Sequence, residues 1–261
     1  MSTEPSYLGL AASGVLVAVA VGISMWRHLG LERSILWASL RALVQLLLIG
    51  VALGLVIDPG RPIVLSWIWV GVMVVFAAWT TQRRAPEVPG VLGLGLVAYG
   101  ASCLVSLGVL FGLSVFPVDG RTVVPLAGMV IGNSLAATVL VGRRLVGELS
   151  DHRDEVEARL ALGMTSREAA QPFLRSAART ALVPQIETTK AVGIVFLPGA
   201  MVGLILAGAD PIDAVRVQIA VMYLVLGSVA TTTTVVAIGV RRRLFTADHR
   251  LVRHLRRTDA G

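Results

Sequence analysis

Residues 91–116, from Val91 to Phe116, read VLGLGLVAYGASCLVSLGVLFGLSVF and carry no charged side chain. A helix needs roughly 20 apolar residues to cross the hydrocarbon core of a bilayer, because every backbone amide there must be satisfied within its own segment. This stretch is long enough, and others like it flank it on both sides: Tyr7 to Trp26, Ser34 to Ile57, Pro62 to Thr81, Thr122 to Gly142, Ala191 to Ala209 and Ile219 to Val240. The second is the least uniform, being interrupted by Arg41 and Gln45. The pattern predicts an all-α, polytopic membrane protein with about seven transmembrane helices, built as a single transmembrane domain over residues 1–261.

Composition agrees. A chain of 261 residues with 55% apolar content and a mean hydropathy of +0.79 is more apolar than soluble globular chains. Its net charge of +7 and pI near 10.9 do not point to nucleic acid, since the basic residues lie between and after the apolar runs and no basic domain with interleaved aromatics exists. The charge is topological. Cys103, the one cysteine, sits inside an apolar run, which excludes an intrachain disulfide and a cysteine zinc cluster. The first run is preceded by Glu4 rather than by a basic region and is read as a retained helix, not a signal peptide.

Positive charge is kept on the cytoplasmic side of short loops. Arg27 and Arg33, Arg83 and Arg84, Arg143 to Arg179, and Arg241 to Arg257 fall on one side, whereas Glu4, Asp58 with Arg61, Asp119 with Arg121, and Asp210 with Asp213 fall on the other. An odd helix count then places the N-terminus outside and the C-terminus in the cytoplasm. Trp26, Trp67, Trp69 and Trp79 near run ends fit an interfacial aromatic belt.

The one long hydrophilic stretch, residues 143–189, lies on the predicted cytoplasmic side, where a partner would be met. Acids at 148, 151, 154, 155 and 157 alternate with Arg153 and Arg159 over a broken stripe of Leu145, Leu149, Val156, Leu160 and Leu162, which predicts an amphipathic helix ending at Gly163. Thr165 and Glu168 have capping-box spacing and predict a second helix, with a kink at Pro172.

Nucleotide chemistry is excluded for this chain. The sole lysine, Lys190, follows Ile186-Glu187-Thr188-Thr189 with no glycine cradle, and neither HExxH nor GxSxG occurs. No catalytic residues are assigned. Hard metal cations require carboxylate, carbonyl or water oxygens, yet the apolar runs hold no Asp, Glu or His. The groups available along a translocation path are Arg41, Gln45, Asn133, Met129, Met201 and carbonyls freed near Pro198, with the alternative that the methionines are packing residues and that Arg41 snorkels to the interface. Glu187 and Lys190 mark a cytoplasmic mouth or form a local ion pair. Pro198 with Gly199 and Gly203 predicts a hinge or broken helix lining a cavity, or simple kinked packing.

Residues 157–170, EARLALGMTSREAA, resemble the EAA motif of ATP-binding-cassette permeases, in which a glycine separates two short helices and the turn docks into the ATPase. The pattern departs at Phe173-Leu-Arg-Ser176, where the family has I-x-L-P. Across nearly the whole chain, residues 31–45 (LERSILWASLRALVQ), 125–133 (PLAGMVIGN) and 191–211 (AVGIVFLPGAMVGLILAGADP) resemble the FetB-type, YbbM-like permease family. The resemblance implies an iron or metal exporter subunit of the bacterial cytoplasmic membrane, with plant relatives linked to aluminium tolerance. It implies a homodimer in the lipid bilayer, paired with a separate FetA-like ATPase that carries the ATP, so that this chain binds no cofactor. Coupling would then run through Leu160, Gly163, Met164 and Thr165. The alternatives are an ion-gradient-driven secondary transporter and a non-transporting accessory protein. The first predicts an intramembrane carboxylate or inverted repeats, and neither is evident.

Overall fold

The computed structural model describes residues 7–58, 60–246, 248 and 250–252. Glu4, His249 and the tail from residue 253, which includes His254 and Arg257, lie outside the described residues. Those described form helices α1 (Tyr7–Trp26), α2 (Glu32–Val56), α3 (Ile63–Arg84), α4 (Val91–Gly112), α5 (Gly120–Asp151), α6 (Arg153–Ala161), α7 (Ser166–Ala191), α8 (Gly199–Leu206) and α9 (Pro211–Leu244). Among them α2, α3, α4, α5 and α9 are long and apolar enough to cross a membrane, and Ala12–Trp26 of α1 is a shorter apolar stretch. The chain is a polytopic all-α membrane protein.

Local chemistry fixes the helix starts. Asp119 accepts a 2.8 Å hydrogen bond from the Thr122 amide, and the Thr122 hydroxyl accepts one from the Asp119 amide, closing a capping box at the start of α5. Asp210 caps α9 by accepting from the amides of Ile212 and Asp213, with Pro211 in the first helical position, where its missing N–H costs nothing. The apolar run begins only at Ile219; this cap starts the helix earlier and takes Arg216 and Gln218 into it. Arg216 pairs with Asp213 at 2.9 Å, whereas Gln218 is buried.

The core is a bundle of α3, α4, α5, α7 and α9, with α5 against α9 at its centre. Lipid is as apolar as leucine, so helices in a membrane are held by close packing and interhelical hydrogen bonds instead of by hydrophobic transfer. The contacts here are accordingly made by small residues. A Cβ placed on Gly95 of α4 would lie 3.2 Å from the backbone of Ala78 in α3. Deeper in, Ser102 of α4 donates to the carbonyl of Ser228 in α9 at 3.1 Å, and Ser134 of α5 donates to the Ser228 hydroxyl at 3.3 Å. All three serines are fully buried. Thr81 and Tyr99 join α3 to α4 at 2.7 Å.

Outside this bundle, α1 and α2 form a hairpin that reaches the remainder through α3, and α8 lies on α9. Residues 191–209, predicted as one transmembrane helix, are divided. Helix α7 ends at Ala191, Gly193 turns the chain at φ +87°, and α8 begins only after Pro198. Gly193 takes the left-handed backbone that glycine tolerates and Pro198 is extended at the N-cap of α8, so the helix is interrupted over this stretch. Helix α7 carries Pro172 and Pro184 in its interior and runs through both.

Ser228 is where three helices meet, and its substitutions separate packing from hydrogen bonding. Ser228→Leu should push α4, α5 and α9 apart and destabilise by about 1–3 kcal/mol. Ser228→Ala should cost only about 0.6 kcal/mol, the loss of one interhelical bond. Thermal unfolding midpoints in detergent measure both.

Candidate functional site

The arginine-rich ends of the helices come together in space. Arg143 on α5 pairs with Glu87 in the α3–α4 loop at 2.6 Å, and Arg243 at the end of α9 donates to the carbonyl of Pro89 at 3.1 Å and to that of Gly90. Loops 57–63 and 117–121 meet around a separate cavity of about 290 Å³. The α3–α4 loop, Arg143 and Arg243 therefore share one end of the bundle, and Asp58, Arg61, Asp119 and Arg121 line one cavity.

At the arginine end, the hydrophilic stretch is a rigid frame instead of a loop. Its first part continues α5 to Asp151, so the predicted amphipathic helix divides into that extension and α6, broken at His152. Leu145 and Leu149 on α5, Val156 on α6, and Ala169, Ala170, Phe173, Ala177 and Ala181 on α7 are buried against one another and α9. Glu148 accepts from Arg144 at 2.8 Å and from the Ser176 hydroxyl at 3.1 Å, tying α5 to α7. Phe173 is flanked by the His152 ring at 5.2 Å and the Arg159 guanidinium at 5.8 Å. Leu160 is half-buried against this core.

The frame presents the turn between α6 and α7. The Gly163 amide donates to the Leu160 carbonyl at 3.0 Å and the Met164 amide to that of Arg159 at 3.2 Å, the paired bonds of a Schellman motif, with Gly163 at φ +87°. Thr165 then caps α7. Its amide donates to Glu168 Oε2 at 2.9 Å, its hydroxyl to the same oxygen at 2.8 Å, and the Glu168 amide donates back to Thr165 Oγ1 at 3.3 Å. The bonds from the Thr165 amide and then its hydroxyl hold the Glu168 carboxyl below the usual carboxylate range. Between two fixed helix ends, Leu162 and Met164 stand exposed, Leu162 at 80%. The turn thus carries an exposed apolar tip on a charged hairpin.

The residues considered for a translocation path are not assembled in the single chain. Arg41 and Gln45 are exposed on α2, whose packing partners are α1 and α3. Asn133 is exposed on α5 and donates to the Met129 carbonyl of its own helix at 2.8 Å; Met129 is half-buried against the core. Pro198 caps α8, and Met201 is half-buried on that helix. Glu187 and Lys190 form an exposed ion pair at 2.9 Å near the end of α7. Among the described residues no three His, Cys, Asp or Glu side chains are grouped to hold a metal ion. The buried serine and threonine contacts between helices were not foreseen from the sequence, and their only signal was small polar residues at helical spacing within apolar runs.

Residues 7–245 match the family described as "Uncharacterised protein family (UPF0014)". The chain belongs to the UPF0014 family. The UPF0014 membrane protein YjkA of Bacillus subtilis strain 168 is 34% identical over 245 residues, covering 94% of this chain and 98% of the relative. The "Probable iron export permease protein FetB" of Escherichia coli K12 is 31% identical over 245 residues, 93% of each chain. The Arabidopsis thaliana protein ALUMINUM SENSITIVE 3 is 33% identical over 254 residues, covering 95% of this chain and 91% of that one. The resemblance drawn from residues 31–45, 125–133 and 191–211 thus holds across a UPF0014 family that spans bacteria and plants. No solved structure matches the chain.

The Thr165 cap gives a direct test of the turn. Thr165→Val should remove about 1 kcal/mol of helix-end stability and speed hydrogen exchange at the first amides of α7 several-fold. In the unsubstituted chain the depressed carboxyl sets the sign: protection is complete above the ordinary glutamate range and is lost only as pH falls through the lower folded value of Glu168. Exchange mass spectrometry across acid pH measures it.

Proposed function

We propose that this chain is the membrane-spanning permease subunit of an ATP-binding-cassette transporter that exports metal, iron being the leading cargo, across the bacterial cytoplasmic membrane. Two copies would work with two copies of a separate, FetA-like ATPase on which ATP is bound and hydrolysed. The observation that carries this reading is the exposed Leu162–Met164 tip, held between a Schellman turn and a capping box on a frame packed directly onto the two longest helices. Motion imposed on such a tip is passed to α5 and α9 as a rigid-body displacement, because closely packed helices do not absorb it. Kinship with a protein named as a probable iron export permease supports the cargo and the direction.

The donor chemistry favours a hydrated or chelated metal over a bare ion. Neutral oxygens, thioethers and the carbonyls around Pro198 line the regions considered for passage, and they bind hard cations weakly without a carboxylate. A path formed between two copies would bring Arg41 and Gln45 of α2 out of lipid, where a lone arginine is costly. In this arrangement Glu187 and Lys190 flank the cytoplasmic mouth.

Affinity purification of the tagged chain from native membranes should recover an ATP-binding-cassette ATPase in roughly equal amount. Met164→Glu should abolish that recovery, metal export and transport-linked ATPase stimulation, while leaving membrane insertion and folded yield unchanged. Normal export by this variant would rule out docking through the turn.

A further inference from the structure

A second feature of the arginine end is independent of the transport reading. Between α7 and α9 lies an open cavity of about 430 Å³ whose walls include Arg167 and Arg175 from one helix and Arg241 and Arg242 from the other. The like charges of Arg167 and Arg242 act on Arg241, so the start of α7 lies beside the end of α9 and the two helices run antiparallel along the cavity. No aspartate or glutamate lines it. The ion pairs described at this end, Arg143 with Glu87, Arg144 with Glu148, Arg153 with Glu157 and Arg159 with Glu155, all use other arginines.

Spacing makes the cavity two-ended. Arg167, Arg175 and Ala178 lie on one face of α7, and Thr234, Ile238 and Arg241 on one face of α9, each following the three- and four-residue helical repeat. The stretch from Arg167 to Ala178 rises about 16 Å. Arg167, Arg241 and Arg242 stand at the helix ends and Arg175 further along α7, while Leu174, Ala178, Ala237 and Ile238 supply the apolar wall, where α9 returns to its apolar run. Uncompensated guanidiniums repel one another and are relieved by an anion, and their forked N–H groups match phosphate oxygens in pairs. A free phosphate would fill only the charged end. An anionic phospholipid fills both, its headgroup among the arginines and its upper acyl chains against the apolar end, at the depth where such lipids reside.

We propose that the α7–α9 cavity is a binding site for the headgroup of an anionic phospholipid. Its occupant would brace the first turns of α7 against the end of α9, next to the Gly163 turn.

The test uses the full chain, purified in mild detergent, stripped of lipid and held in phosphate-free buffer. It is titrated separately with phosphatidylglycerol, cardiolipin, phosphatidylcholine and inorganic phosphate, with the thermal midpoint and the lipids retained in native mass spectrometry as readouts. The two anionic lipids should raise the midpoint and stay bound, and phosphatidylcholine should not. The double variant R167Q/R241Q should bind them at least about tenfold more weakly, since each loses a charge-assisted bond. R216Q, at the other end of α9, should bind as the unsubstituted chain does. Equal retention of phosphatidylcholine, undiminished binding by the double variant, or a response to inorganic phosphate with none to lipid would each overturn the proposal. If the double variant is not recovered folded, the exposed single variant R175Q replaces it; weakened lipid binding there supports the site, and unchanged lipid affinity overturns it.

Discussion

The bilayer is thinner than two of this protein's helices are long. Helices α5 and α9, at 32 and 34 residues, rise about 48 and 51 Å against a hydrocarbon core of about 30 Å. They must therefore project beyond it, and because they pack against each other along the bundle axis they project as a pair. Everything at the arginine end is built on that overhang. Helix α6 and the start of α7 have an apolar surface to cover only because Leu145, Leu149, Val240 and Leu244 extend the core past the membrane.

The two halves of the molecule are consequently held by different forces. Within the bilayer, small side chains let backbones approach, as at Gly95 and Ala78, and buried hydroxyls such as Ser102, Ser134 and Ser228 bond across helices. In water, ordinary hydrophobic burial around Val156 and Phe173 takes over, supported by ion pairs and ring contacts. Continuity of α5 and α9 joins the frame beneath the Gly163 turn to the apolar bundle. The arginine cavity lies between α7 and α9, where α9 passes from its apolar run to Arg241 and Arg242.

Much of this was legible one residue at a time. Long uncharged runs gave membrane helices, since backbone satisfaction in lipid is a property of the segment alone. The capping box of Thr165 and Glu168 and the glycine turn at 163 were readable for the same reason, as their bonds close within a few residues. Helix α7 runs through Pro172 and Pro184, held on α5 and α9 by Ala169, Ala170, Phe173 and Ala177. The reading failed at one span. The run from Ala191 to Ala209 is apolar enough for one helix, but hydropathy is blind to the backbone demands of Gly193 and Pro198.

The primary structure was sufficient to establish an all-α membrane protein, its resemblance to a permease family, and the glycine turn with the capped helix after it, because each rests on composition or on neighbours close in the chain. It was not sufficient to say which residues stand together across helices. The meeting of Ser102, Ser134 and Ser228, the frame beneath Gly163 and the gathering of Arg167, Arg175, Arg241 and Arg242 depend on the rotation and register of helices distant in the chain. A hydropathy pattern leaves both free, and they are set only when the side chains interlock.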